Sequence, residues 1–392
     1  MLDLNKIIDI SGWAKHFLID KPLNKRAKID TGKFCNRSCF FCYYYKELDS
    51  KDFLTPFNAG LLAGYLLDKG IREIELSGGE PTVHPKIEQI VGTIKEEFQK
   101  RNLPPKISIV SNGSFNREKL ELLSDINEWL ISIHGEEVVH DDIVGKTNSY
   151  KRIVENIDYM LNSKSINTII RLNFVVTTVD AKLLDPKAKD GAVVSNLTEN
   201  ISRILKEYLK KGIQINLLPL NFWKDAIDLS ATTPDKTTYG LGEDRHLKRI
   251  YESINNFVMD VKELEILQPK VNNRLLNIRY PQFCLLINSA KKYARGHYDH
   301  LVDVTDWNKL YYPKDYAPEQ KVLSADLLHF DPRQIYTTKE FTIDNLIEVA
   351  KIDRLQSHYK DTICKNCKDF ARCDGVKRGT QGLKKVREAY TK

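Results

Sequence analysis

Three cysteines within eight residues, Cys35-Asn36-Arg37-Ser38-Cys39-Phe40-Phe41-Cys42, constrain this chain more than any other stretch. They are spaced C-x3-C-x2-C and follow directly on a strand-like run, Ala27 to Asp30. Packing alone does not call for three reactive thiols on one loop, so the stretch reads as a metal site. An iron–sulfur cubane normally takes four thiolates; three supplied locally leave one iron open for chemistry. Zinc is the competing reading. Its four-ligand sites usually arrive as two separated pairs, which these unequal gaps fit poorly.

With 392 residues the chain can bury a sizeable core and hold one large domain plus a smaller one. Its N-terminus, Met1 to Lys6, lacks the basic and then apolar regions of a secretory signal. No apolar run approaches the roughly eighteen residues of a membrane span. A cytoplasmic location is therefore expected, where clustered cysteines stay reduced and serve as metal ligands rather than disulfides. The net charge of +7 matters less than its placement. Residues 360–392 hold ten Lys or Arg against four Asp or Glu. This is either a solvated helix face or a docking patch for an acidic electron donor or an anionic substrate. The excess is too small to argue for nucleic acid.

From Lys28 onward, apolar strand-like runs alternate with amphipathic helical stretches. Residues 71–76, 107–110, 129–133, 169–176 and 213–218 follow the first strand, with helices expected over 85–100, 149–163 and 196–210. Six strand–helix repeats predict an α/β fold with a parallel sheet and helices outside it. In such folds the working residues lie at the carboxyl ends of the strands. The chain divides into an N-terminal extension over 1–25 with a helix around Asp9 to Phe17, and a strand–helix domain over 26–222. A bridging segment over 223–280, with a helix at about 244–264, and a C-terminal domain over 281–392 complete it.

Ser77-Gly78-Gly79-Glu80-Pro81 lies at the end of the second strand. Two glycines let backbone approach a ligand with no Cβ in the way, and Glu80 offers a carboxylate. Alone, such a stretch is an ordinary turn. Placed thirty-five residues after a C-x3-C-x2-C loop with Phe41 before the last cysteine, it resembles the GGE motif of the radical S-adenosylmethionine (SAM) superfamily. That resemblance implies a partial (β/α)6 TIM barrel and a [4Fe-4S] cluster on Cys35, Cys39 and Cys42. The open iron would chelate the amino and carboxylate groups of SAM. One electron then cleaves SAM to methionine and a 5′-deoxyadenosyl radical, which abstracts hydrogen from a substrate.

The resemblance also assigns SAM contacts. The backbone around Phe41 would lie near the adenine, and Ser77, Gly78, Gly79 and Glu80 near the methionine ammonium. Ser111-Asn112-Gly113 would face the ribose or methionine part, and Ser132 would contact SAM from the next strand end. His140-Asp141 resembles a recurrent pair of the family; the alternative is a helix cap made by Asp141 or Asp142. The chain departs from the family at Val144, where many relatives have an arginine for SAM's carboxylate, and Lys146 and Arg171 are the candidate stand-ins.

Of seven cysteines, the first three leave four, one cubane's complement: Cys284, Cys364, Cys367 and Cys373. The C-x2-C-x5-C spacing of the last three resembles the Twitch and SPASM modules that carry auxiliary [4Fe-4S] clusters. Four ligands suit one cluster, hence a smaller Twitch-like C-terminal domain; zinc is the alternative there. The expected activity is radical hydrogen abstraction from a small molecule or a peptide, with a flavodoxin- or ferredoxin-type electron donor and no membrane or nucleic-acid partner. The short stretch ahead of the barrel leaves no room for a leader-binding domain, which tilts the expectation toward a small molecule or a leader-independent peptide. A maturase of ribosomally made peptides and an RNA-modifying enzyme are the alternatives within this chemistry. A non-catalytic iron–sulfur or zinc redox protein is the alternative outside it, and leaves Glu80 and both glycines unexplained. No acid, base or radical-relay residue stands out; Tyr43, Tyr44 and Tyr45 read as packing and rim.

Overall fold

The structure, a computed structural model, describes residues 26–42, 53–68, 70–124, 126–163, 168–220, 244–263, 275–279, 281 and 285–295. It also places three short strands beyond them. The six apolar runs become β1 (Arg26–Asp30), β2 (Glu73–Ser77), β3 (Ile107–Ser111), β4 (Glu128–Ser132), β5 (Ile169–Val176) and β8 (Gln214–Pro219). A two-stranded antiparallel pair, β6 (Thr178–Asp180) with β7 (Val193–Ser195), interrupts the series after β5. Then come β9 (Leu276–Arg279), β10 (Ala294–Arg295) and β11 (Leu327–Phe330).

The main sheet runs β10-β9-β8-β5-β4-β3-β2-β1-β11, with every neighbouring pair parallel. The expected six strands therefore form its centre. Strands β2, β3 and β4 are buried almost throughout, as strands covered on both faces must be. Strands β9 to β11 have two to four residues each, too few for a periodic signal to mark them in the sequence.

Between the strands run α1 (Pro56–Asp68), α2 (Ile87–Lys100), α3 (Arg117–Leu122), α4 (Glu137–Val144), α5 (Ser149–Asn162) and α6 (Glu199–Lys210). The expected helix near 244–264 is α7 (Asp244–Glu263). Helix α2 buries Ile87, Ile90, Val91, Ile94 and Phe98, an i, i+3, i+4 stripe that explains its legibility. Helix α1 buries an equivalent stripe, Ala59, Leu62, Ala63, Leu66 and Leu67, but the apolar Phe57 and Leu61 on its exposed side leave no contrasting polar face to mark it in the sequence. Local caps fix the helix starts. The Asn116 side chain accepts from Lys119 N at 2.9 Å for α3, and the Thr198 hydroxyl accepts from Ile201 N at 3.4 Å for α6.

Trp129 of β4 is fully buried and packs against Phe115 with ring centroids 4.8 Å apart. Trp129→Ala would leave a large cavity behind the strand that carries Ser132, and is expected to cost about 3–5 kcal/mol. Urea unfolding of the two proteins measures the difference.

Candidate functional site

The cysteine loop leaves β1 and is fastened from two sides. On one side Thr31 donates to the Ser77 carbonyl through both its backbone N (2.8 Å) and its hydroxyl (3.0 Å). Gly79 N then donates to the Gly32 carbonyl at 2.8 Å, and Glu80 N to the Phe34 carbonyl at 2.9 Å. Gly78 has φ +129°, and a Cβ on it would collide with the Gly32 carbonyl; one on Gly79 would collide with the carbonyls of Phe34 and Lys33. The close approach of the loop's own backbone thus already requires both glycines, a constraint the sequence does not reveal. On the other side Ser38 N donates to the Val144 carbonyl (3.0 Å) and Phe40 N to the Ile143 carbonyl (3.3 Å), at the end of α4.

This fastening gathers the expected site residues around one cavity of about 160 Å³. Cys35, Cys39, Cys42 and Phe41 line it from the loop, Ser77, Gly78, Gly79 and Glu80 from β2, Ser111 and Asn112 from β3, and Ser132 from β4. Arg37, His134, His140, Val144 and Ser149 complete the wall with Val110. None of the three thiols forms a disulfide, and all are half-buried. Burial, with the Glu80 charge adding to it, pushes the Cys35 thiol up to about 12, and burial raises Cys39 as well. Such thiols ionise when a metal joins them. Among the described residues no three His, Cys, Asp or Glu side chains are arranged to hold a single metal ion. Three thiols ringing a cavity of this size suit a cluster of several irons, and the all-thiolate donor set is that of iron–sulfur ligation.

Glu80 is 3% exposed, and its carboxylate is held by four donors. Oε1 accepts from Thr82 N (3.0 Å), the Thr82 hydroxyl (2.6 Å) and the Ser111 hydroxyl (2.8 Å); Oε2 accepts from Asn112 N (2.6 Å). Burial raises its pKa and these donors oppose the rise. Ser111 is therefore committed to Glu80, and Asn112 Nδ2 to Asn36 Oδ1 of the cysteine loop at 2.7 Å. Only Oε2, with one donor, keeps capacity for a ligand's N–H group.

No sequence signal assigns a role to His134, and Asn196 reads there only as the start of a helix. Asn196 Nδ2 donates to the carbonyls of His134 (2.7 Å) and Val175 (2.8 Å), tying the β6–β7 pair to the ends of β4 and β5. His134 Nδ1 accepts from Val175 N at 3.2 Å, so its proton sits on Nε2; Phe41 meets the ring edge-on at 5.0 Å. His140 Nδ1 accepts from His134 N at 3.0 Å, which leaves Nε2–H to donate to the Ser149 hydroxyl at 3.2 Å. Contacts of this kind carry no sequence period, because they join strand ends far apart in the chain.

Burial lowers the pKa of both histidines, that of His134 to about 3. Each is neutral in the folded state while its unfolded counterpart takes up a proton near pH 6.5. Stability is accordingly full above pH 6.5 and falls as the pH drops toward the folded values, by about 1.4 kcal/mol per histidine for each unit. Urea titrations at pH 7.5 and 5.5 should show the loss, and His134→Asn should reduce it.

Asp141 Oδ1 accepts from Tyr150 N at 2.8 Å in the first turn of α5, the capping role weighed for it above. Two other expectations are corrected. Arg171 pairs with Glu128 at 2.7 Å, near the amino-terminal ends of β4 and β5 and so away from the cavity. Lys146 is exposed and does not line the cavity. Neither stands in for an arginine at Val144. Cys284, Cys364, Cys367, Cys373 and Tyr43 to Tyr45 lie outside the described residues.

Residues 29–180 match the model of the Radical SAM superfamily. A probable GTP 3′,8-cyclase of Sulfolobus acidocaldarius is 31% identical over 152 residues, 38% of this chain and 46% of that protein. A probable GTP 3′,8-cyclase of Methanocaldococcus jannaschii is 23% identical over 292 residues, 71% of this chain and 87% of that protein. The chain thus spans about half the length of the first relative and most of the second. Among solved structures, Streptococcus suis SuiB bound to S-adenosylmethionine superposes with a TM-score of 0.54 at 13% identity, covering 95% of this chain and 77% of SuiB. SuiB has also been solved with its precursor peptide SuiA, at a TM-score of 0.53. The fold is shared with SuiB, and the part of the chain that carries the cysteine loop and Glu80 is the part that matches the Radical SAM superfamily model.

Proposed function

We propose that this chain is a radical SAM enzyme that forms 5′-deoxyadenosine from SAM while removing a hydrogen atom from a small-molecule or peptide substrate. The observation that carries the reading is the convergence on one cavity of three thiols, a buried carboxylate and the polar ends of β2, β3 and β4. Cys35, Cys39 and Cys42 would hold a [4Fe-4S] cluster, and Glu80 would meet the ammonium of SAM through Oε2. Phe41, Ser77, Gly78, Gly79, Ser111, Asn112 and Ser132 would form or support the rest of the cofactor wall. The bound cluster and SAM supply a one-electron reductive cleavage that generates a carbon radical. The chain's own part is to bind, orient and exclude water. A volume of about 160 Å³ is smaller than the roughly 300 Å³ at which drug-sized ligand sites begin. It therefore encloses only the innermost part of this assembly.

An auxiliary [4Fe-4S] cluster on Cys284, Cys364, Cys367 and Cys373, in a Twitch-like domain beside a partial barrel, would relay an electron or anchor substrate. A cytoplasmic flavodoxin or ferredoxin would be the reductant. Among the described residues no helix is long and apolar enough to cross a membrane. The likeness to SuiB over 95% of this chain favours, as a second reading, a maturase acting on a peptide.

Anaerobic reconstitution with iron and sulfide, followed by dithionite and SAM, tests the proposal. About eight irons per chain, two cubanes, and release of 5′-deoxyadenosine are expected. About four irons with activity would assign the C-terminal cysteines to another metal, and a chain that assembles no cluster would end the reading.

A further inference from the structure

Arg37 sits inside the cysteine loop, and nothing above gives it a task. It is 6% exposed, an unusual place for a guanidinium without an ionic partner. Three contacts hold it. Nε donates to the Ser149 hydroxyl at 3.1 Å, Nη1 to the Asn36 carbonyl at 3.0 Å, and Nη2 to the Ser114 hydroxyl. The serines belong to different elements, one opening α5 and the other following β3, and Ser149 is itself held by His140 Nε2. All three acceptors are neutral, so the positive charge is oriented but not neutralised by them.

A guanidinium carries five N–H groups. Three are used, which leaves one on each terminal nitrogen with no acceptor among the described residues. Arg37 is also the only Lys or Arg among the residues that line the cavity, and Glu80 is the only Asp or Glu. Its opposite, Glu80, retains acceptor capacity on Oε2, as described above. One cation with two spare donors and one carboxylate with a spare acceptor, facing a common cavity, is the complement of an α-amino acid zwitterion.

We infer that Arg37 binds the carboxylate of the amino-acid end of SAM, opposite Glu80 at its ammonium. The inference rests on the cofactor reading given above and deepens it. It also accounts for Val144, which lines the same cavity where the superfamily resemblance places an arginine. The cation has moved from the end of α4 to the cysteine loop, so position 144 is free to be apolar.

The test compares SAM with decarboxylated SAM, which keeps the ammonium and lacks only the carboxylate, on iron-loaded full-length protein by calorimetry. Wild type should prefer SAM. Arg37→Gln should weaken SAM about tenfold to a hundredfold, the range expected for a lost charge-assisted hydrogen bond. It should leave the decarboxylated ligand nearly unchanged, so that the preference for SAM shrinks by the same factor. Val144→Arg in the Arg37→Gln background should restore part of it. An equal loss for both ligands, or an unchanged preference, would overturn the inference while leaving the radical SAM reading intact. Should Arg37→Gln fail to retain iron, the same ratio is read on Arg37→Lys, which keeps the charge without the paired donors. No binding of either ligand to iron-loaded wild type would remove both readings together.

Discussion

Gly79→Ala is expected to unseat the cysteine loop, with loss of bound iron and a destabilisation of about 3 kcal/mol or more. The new methyl group would have to occupy space filled by the carbonyls of Phe34 and Lys33. Relieving that collision means separating the two backbones. It breaks the Gly79 N bond to Gly32 and the Glu80 N bond to Phe34. Backbone cannot swing aside as a flexible side chain does, so the strain has no inexpensive outlet. Gly78→Ala should be at least as severe, because φ +129° is disfavoured for any residue with a Cβ and the methyl would also meet the Gly32 carbonyl. By contrast Gly191→Ala, where nothing lies within 4 Å of the added Cβ, carries only the strain of φ +70° and should leave iron binding intact. Iron content after reconstitution and thermal unfolding of the three variants measure the contrast. Normal iron loading in Gly79→Ala would show that the two backbones are not in the contact described.

Glu80→Ala is expected to abolish detectable SAM binding and to destabilise the protein by about 3–5 kcal/mol. The substitution removes an acceptor and strands four donors: the amide and hydroxyl of Thr82, the hydroxyl of Ser111 and the amide of Asn112. Each stranded buried donor costs roughly 1–3 kcal/mol before water or rearrangement offsets it. The loss propagates, since Asn112 also holds Asn36 of the cysteine loop. Glu80→Gln is a gentler probe. Its amide oxygen can serve the Thr82 and Ser111 side, but its NH2 group faces the Asn112 amide, donor against donor. A stability loss about half that of the alanine variant, with SAM binding still severely weakened, would separate the scaffold part of Glu80 from its ligand part. Retention of full SAM affinity by Glu80→Gln would remove the ammonium contact from the account.

Much of this architecture was legible because it rests on period and punctuation. The six central strands are apolar runs bounded by turns, and α2, α5 and α6 carry the 3.6-residue stripe of a helix packed on a sheet. The three cysteines and Glu80 were legible by residue chemistry and spacing. Their company was not. Arg37 reads as an ordinary loop cation until Ser114 and Ser149, 77 and 112 residues away, are seen to bury and orient it. Ser111 reads as a ligand contact until its hydroxyl is found on Glu80. The glycine pair is legible for a real constraint, absence of a Cβ, but the β1 loop that imposes it in the fold is not. Helix α1 escaped notice because its apolar residues surround it, and β9 because four residues hold too little pattern to detect.

The most direct test of the central claim is the electron paramagnetic resonance spectrum of the dithionite-reduced, reconstituted protein with and without SAM. An iron open to SAM lies within the cluster, so binding must change the spectrum of that cluster and not merely the activity. The account predicts a reduced [4Fe-4S] signal whose g-values shift when SAM is added, and the loss of that SAM-sensitive signal in Cys35→Ala. A reduced cluster whose spectrum is indifferent to saturating SAM, or a SAM-sensitive signal that survives Cys35→Ala, would contradict it.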